Sequence, residues 1–211
     1  MNNILIVGAH FDDPELGAGG FAAKMSDNGK NVYKLTLTDN VTISDSLNLN
    51  VDYESSKVSS AKACEVLGIN EITDFEPVEC GKLTYNKEIM QKVEKVILDY
   101  NIDTTIIHFM DDKNQDHVEA SRICQTAARH CNNILAYQSN MYVFSKSYYP
   151  VFFVDISEYI KHKEEALSQY EKQHNRFNRL FQANILRNQV WGYTHKVEYA
   201  EAFHPIQYKF E

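Results

Sequence analysis

The sequence predicts an α/β fold with a mainly parallel central sheet. Short apolar runs alternate with stretches of helical periodicity along the 211-residue chain. Two runs, Asn3 to Ala9 and Thr104 to Met110, are apolar almost throughout, as strands buried on both faces are. Each ends abruptly in a cluster of titratable side chains, and the carboxyl ends of parallel strands are where open α/β sheets hold ligands.

The first run leads into a glycine-rich helix over Pro14 to Asn28. Pro14 suits a first helical position, which puts Asp13 at the N-cap and Glu15 in the first turn. Asn31 to Thr38 alternates and is rich in β-branched residues, so it reads as the second strand of a βαβ unit. Asp39 to Asp52 reads as a long polar loop leaving the same sheet end, and a loop of that length suggests a substrate cover. Tyr53 to Leu67 is helical, with Val58, Ala61, Cys64, Val66 and Leu67 on its apolar side and Gly68 as its stop. Glu71 to Val78 is a weaker strand. Lys87 to Tyr100 is an amphipathic helix through Ile89, Val93, Val96, Ile97 and Tyr100.

After the second apolar run, His117 opens a helix to Arg129, with Val118, Ile123, Cys124 and Ala127 inward. Strands follow at Ile134 to Ser139 and Val151 to Ser157. A further helix has the core face Tyr159, Ile160, Ala166, Leu167 and Tyr170. His174 to Gly192, with Arg176, Arg179, Arg187 and Trp191, is helical, and Val197 to Tyr208 returns to the sheet. No repeat or Gly/Ser linker marks a boundary, so residues 1–211 are expected to form one domain.

Hydrophobic content of 44% and charged content of 24% are ordinary for a globular chain. The net charge of −8 and the absence of clustered Lys and Arg argue against a nucleic-acid partner and favour a small neutral or amphoteric substrate. No apolar run approaches the ~20 residues that span a bilayer, and the start lacks the basic region of a signal peptide. A cytoplasmic location is expected, with Cys64, Cys80, Cys124 and Cys131 as reduced thiols.

His10, Asp12, Asp13 and Glu15 crowd the first turn, and Asp111, Asp112, Asn114, Asp116 and His117 the second. A catalytic zinc site takes three His or carboxylate ligands and leaves one position open. His10, Asp13 and His117 supply that set, and Asp12 stands beside it to take a proton from zinc-bound water. Asp13 and Glu15 also read simply as a cap and a dipole partner. Asp116 either holds a ring N–H of His117 or of a neighbour, or caps the helix.

These residues carry a resemblance. "AHFDDPELGAGG" resembles the signature A-H-P-D-D-x-E-x-G-x-G-G of the PIG-L/LmbE zinc-dependent N-deacetylases. "HFMDDKNQDH" resembles their second motif, H-x-x-x-D-x-[HN]-x-D-H, and "VEYAEAF" is similar to a late segment many members share. The resemblance implies a Rossmann-like three-layer fold, zinc held by His10, Asp13 and His117, and Asp12 as general base. It also implies removal of an acetyl group from an N-acetylated amino sugar such as an N-acetylglucosamine conjugate, often in a homo-oligomer. Phe11 replaces the motif's proline. Asn114 stands where many members have a histidine credited with protonation or oxyanion stabilisation; it can donate a hydrogen bond but not shuttle a proton, so Asp12 has to return the proton itself. Serines near Ser56 and Ser59 replace a substrate-binding arginine.

Four other readings are weighed. A dinucleotide site is disfavoured because Gly17, Gly19 and Gly20 do not fit G-x-G-x-x-G and carboxylates occupy the phosphate's approach. A magnesium phosphoryl site is disfavoured because imidazole prefers zinc. An N-deformylase and a catalytically silent ligand-binding member of the fold stay as alternatives. His108, within an apolar strand, is read as a satisfied core residue, and the aromatics Tyr142, Phe144, Tyr148 and Tyr149 as packing rather than a sugar platform.

Overall fold

Ile4, Leu5, Ile6 and Val7 are fully buried because their strand lies in the middle of a sheet covered on both faces. The computed structural model describes residues 1–47, 49–140, 148–170 and 177–209. In chain order its elements are β1 (Asn3–Gly8), α1 (Asp13–Asp27), β2 (Asn31–Thr36), β3 (Thr42–Ser44), β4 (Leu49–Val51), α2 (Tyr53–Leu67), β5 (Asn70–Glu71), α3 (Lys87–Asp99), β6 (Thr104–His108), α4 (Gln115–Ala127), β7 (Asn133–Tyr137), β8 (Phe152–Asp155), α5 (Ile160–Ser168), α6 (Gln182–Thr194) and β9 (Ala200–Gln207).

The seven-stranded sheet has the order β5-β2-β1-β6-β7-β9-β8, with the first five strands parallel and the last two antiparallel additions. The period of two along β1 divides the core. Ile4 and Ile6 join Leu16, Phe21, Ala63 and Leu167 on the side of α1, α2 and α5. Leu5 and Val7 join Val93, Ile97, Ile123 and Cys124 on the side of α3 and α4. This is the expected three-layer α/β arrangement, and the C-terminal segment returns to the sheet as β9.

Several expectations are corrected. The Asp39 to Asp52 stretch is not a plain loop: it holds the β3–β4 hairpin and a short 3₁₀ turn, Asp45–Leu47. Glu71 to Val78 is not a strand; only Asn70 and Glu71 pair with β2, plus a bridge from Val78 to Thr38. Val58 is exposed, since α2 turns Ser56, Ser59, Ser60, Ala63, Cys64 and Leu67 inward instead. α4 opens at Gln115 rather than His117, because the Asn114 side chain accepts the Asp116 N–H and caps it. Asp116 is therefore not the cap. Nor is Asp13, which is the first residue of α1 and whose Oδ2 accepts the His10 N–H at 2.8 Å.

α1 is broken at Ala18, whose φ of −148° leaves the helix. The amides of Gly20 and Phe21, freed by the break, donate to Glu201 on β9 at 3.0 and 2.6 Å, and Lys163 of α5 neutralises that carboxylate at 2.7 Å. The chain can turn tightly from β1 into α1 because Gly8 is bare: a Cβ there would lie 2.6 Å from the His10 carbonyl oxygen and from Pro14.

Candidate metal centre and pocket

β1 and β6 pair side by side, Ile4 with Thr104 and Ile6 with Ile106, so the turns after them meet at one sheet end. His10 Nδ1 lies 3.2 Å from Asp13 Oδ2 and 3.2 Å from His117 Nε2, which is in turn 3.2 Å from Asp13 Oδ1. Ligands of a tetrahedral zinc ion with bonds of about 2.0–2.1 Å stand roughly 3.3 Å apart; the two imidazole nitrogens have that spacing, and one atom from each of the three side chains lies within 4.8 Å of the others, a group able to hold a metal ion. Two imidazoles and one carboxylate are also the donor chemistry that zinc prefers.

The far nitrogen of each imidazole meets a carboxylate. His10 Nε2 is 3.3 Å from Asp116 Oδ2, and His117 Nδ1 is 3.0 Å from Asp112 Oδ2. Such partners fix ring orientation and leave the inner nitrogen to face the cation. Burial works against charge on His117, yet Asp13 and Asp112 outweigh it and push the imidazole up to about 9. His10 is likewise raised, against burial, by Asp116, Asp13 and Cys80. Burial alone would raise Asp13, but the neighbouring imidazoles, His117 first, hold it well below the usual carboxylate range. Positive charge is favoured at this point.

His108 is buried, and burial together with the charge of His117 pushes it down to about 4. Its Nε2 accepts the Ala9 N–H at 3.0 Å, which requires the neutral ring, and it stacks on His117 with ring centroids 4.1 Å apart. Nδ1 has no partner among the described residues. His108 is thus not the satisfied core residue expected, since its Nε2 also lies 3.2 Å from Asp13 Oδ2, directly behind the cluster. Asp12 occupies the cap position of α1 without capping it, and it lines the same cavity as His10, Asp13 and His117. Glu15 lies outside the cluster, 2.6 Å from Lys34 Nζ.

The cavity holds about 240 Å³ and is walled by Asn40, Thr42, Leu49 and Val51 of the hairpin segment, by Cys80 and Gly81, and by Asn114, Gln115 and Asn140. Asn40 has φ +60°, a left-handed conformation that asparagine tolerates better than most residues, and its amide donates to Ser56 at 3.0 Å. Ser56 therefore reaches the cavity only through Asn40, and Ser59 does not line it. Tyr148 bridges the carbonyls of Ala136 and Ala202 and packs on Phe109, while Tyr149 is exposed. Tyr142, Phe144, His174 and Arg176 lie outside the described residues.

Sequence reasoning gave no role to four participants. Asp112 had a usable signal, a carboxylate in the same turn as His117. Lys34 had one too, a lysine inside an otherwise apolar strand, and Glu201 sits in the late motif. Cys80 had none, since its loop is placed by the Asp116 carboxylate accepting the Gly81 and Leu83 amides.

Residues 5–128 match the family model described as GlcNAc-PI de-N-acetylase, PIG-L. The chain belongs to that family. Membership supports a hydrolase of the N-deacetylase kind acting on a sugar-type substrate. Among solved structures it is similar to N,N'-diacetylchitobiose deacetylase from Pyrococcus horikoshii, with 17% identity, 97% of this chain and 84% of that one covered, and a TM-score of 0.82. It is also similar to the conserved protein TT1542 from Thermus thermophilus, with 22% identity, coverage of 100% and 97%, and a TM-score of 0.80. A third likeness is to GalB, the 4-carboxy-2-hydroxymuconate hydratase of Pseudomonas putida, with 17% identity, coverage of 100% and 98%, and a TM-score of 0.79. These likenesses show the fold. Among the described residues no helix is long and apolar enough to cross a membrane.

Proposed function

We propose that this chain, a single domain over residues 1–211, is a zinc-dependent amidohydrolase that removes the N-acetyl group of an amino sugar or a related small conjugate. The observation that carries the reading is that His10 Nδ1 and His117 Nε2 lie 3.2 Å apart and Asp13 presents Oδ2 to the first and Oδ1 to the second, each at 3.2 Å, with Asp12 lining the same cavity. Zinc held there would polarise the amide carbonyl and lower the pKa of a water. Asp12 takes the proton of the attacking water and afterwards delivers it to the departing nitrogen. Asn114 has its side-chain oxygen engaged with the Asp116 N–H at 2.9 Å, which leaves its NH₂ to donate to the developing oxyanion. Asp116 and Asp112 hold the two imidazoles in place. Four free cysteines suit the reducing cytoplasm.

The test is to incubate the zinc-loaded protein with N-acetylated sugars and sugar conjugates and to assay both acetate and newly exposed primary amine. Both products are expected in equal amount, and Asp12→Asn keeps zinc while losing about 10²–10⁴-fold in turnover. Formate in place of acetate would indicate a deformylase. Because the same fold serves a hydratase in GalB, loss of a substrate carbon–carbon double bond without acetate or amine would overturn the amidohydrolase reading. A zinc-loaded protein that releases no amine across the panel would favour the silent binding protein.

A further inference from the structure

Lys34 is a lysine with no exposed surface, in the middle of β2, and its ammonium is surrounded by oxygens: the Phe11 carbonyl at 2.7 Å, Glu15 Oε1 at 2.6 Å, Ser60 Oγ at 2.8 Å and the Tyr170 hydroxyl at 3.0 Å. The Tyr170 hydroxyl also donates to the Phe11 carbonyl, at 3.0 Å. Ser60 in turn donates to Glu71. Helices α1 and α2 and Tyr170, two residues beyond α5, thus converge on the ammonium of β2, and that ammonium and the Tyr170 hydroxyl both meet the Phe11 carbonyl. Burying an ion pair is weak as a source of stability, since desolvation offsets the attraction. What this one does is geometric.

The oxygen it holds belongs to the peptide joining Phe11 to Asp12. On one side of that peptide lies His10 and on the other Asp12 and Asp13. Phe11 also occupies the position where the family motif carries proline, so the ring that would restrict φ is missing here. Two donors on the Phe11 carbonyl instead fix the peptide that follows the Phe11 Cα.

We propose that Lys34 and Tyr170, with Glu15 as the lysine's counter-ion, form a clamp on the Phe11 carbonyl that positions His10, Asp12 and Asp13 for the cation and for proton transfer. They are positioning residues and touch neither cation nor substrate. The proposal rests on the metal-centre reading above.

The molecule contains a matched control. Lys163 is equally buried and ion-paired, to Glu201 at 2.7 Å, but its backbone partner is the Leu16 carbonyl at 2.8 Å, beyond the turn. The experiment measures zinc affinity by competition with a chromophoric chelator, well below each variant's Tm, for wild type, Lys34→Met, Tyr170→Phe and Lys163→Met. Lys34→Met is expected to weaken zinc by about 10–100-fold, the range seen when outer partners of metal ligands are removed. Tyr170→Phe, which removes one hydroxyl and keeps the packing, is expected to weaken it several-fold and decides the matter if Lys34→Met does not fold. At saturating zinc both lower kcat with KM unchanged. Lys163→Met is expected to lower Tm but keep wild-type zinc affinity. Wild-type zinc affinity in Tyr170→Phe, or an equal loss in Lys163→Met, overturns the clamp while leaving the metal centre intact. A wild-type chain that binds no zinc overturns both.

Discussion

Replacing Asp116 by asparagine tests how the second turn serves the first. Asp116 is buried, and its Oδ2 faces His10 Nε2 at 3.3 Å while accepting the Gly81 N–H at 2.7 Å; Oδ1 faces the Leu83 N–H at 3.3 Å. Asparagine keeps one acceptor and turns the other into a donor. If the amide oxygen stays with Gly81, as the shorter contact favours, it faces that amide and His10 as Oδ2 does, while the new NH₂ group confronts the Leu83 N–H. The imidazole then loses its charged partner, and the raised pKa that Asp116 gives it falls. Losing such a partner costs about 10–100-fold in metal affinity, or roughly 1.4–2.7 kcal/mol. Chelator competition reads this directly, with thermal unfolding checking that the Cys80–Gly81 wall has stayed in place. Unchanged zinc affinity in a folded Asp116→Asn protein would refute the assignment of Asp116 as the residue that orients His10.

Two further outcomes follow from the charges and the packing at the same centre. In chelator-treated protein, His117 is pushed up to about 9 and His108 down to about 4, from an ordinary value of 6.5. The raised His117 gives stability that is complete below 6.5 and is lost as pH rises through 9. The folded state resists protonating His108, so stability is also lost as pH falls from 6.5 toward 4. Each displacement is worth about 3 kcal/mol at full effect. Urea unfolding across pH should therefore peak near 6.5, and added zinc should flatten the alkaline side; a peak at pH 9 without zinc would contradict this. Separately, Gly17→Ala would push a Cβ into the Tyr137 ring, whose hydroxyl donates to Val7 at 2.9 Å and lies 3.1 Å from His108 Nε2. Destabilisation of about 1–3 kcal/mol or more is expected by urea unfolding, and a neutral result would show that the ring is free to move.

The layers and the converging turns were legible because their signals are local: apolar runs that end in titratable clusters. The triad needed only the assumption that β1 and β6 are neighbours. Other features depended on tertiary contacts. Val58 satisfied the helical period of α2, but the inward face belongs to serines whose hydroxyls find partners only in the folded chain, Ser60 with Lys34 and Ser56 with Asn40. The hairpin over the site is made of three-residue strands, too short to show alternation. Asn114, read for its departure from the motif, is also a helix cap, a role that depends on where α4 begins. The lysine in β2 has no evident role until Glu15 and Tyr170 are brought to it.

The most direct test of the metal centre is diffraction from zinc-grown crystals collected on either side of the zinc absorption edge. One anomalous peak is expected, about 2.0–2.1 Å from His10 Nδ1, an Asp13 oxygen and His117 Nε2, with Asp12 beside it but not bound. No peak there, or a peak bound by Asp12 in place of Asp13, would contradict the account.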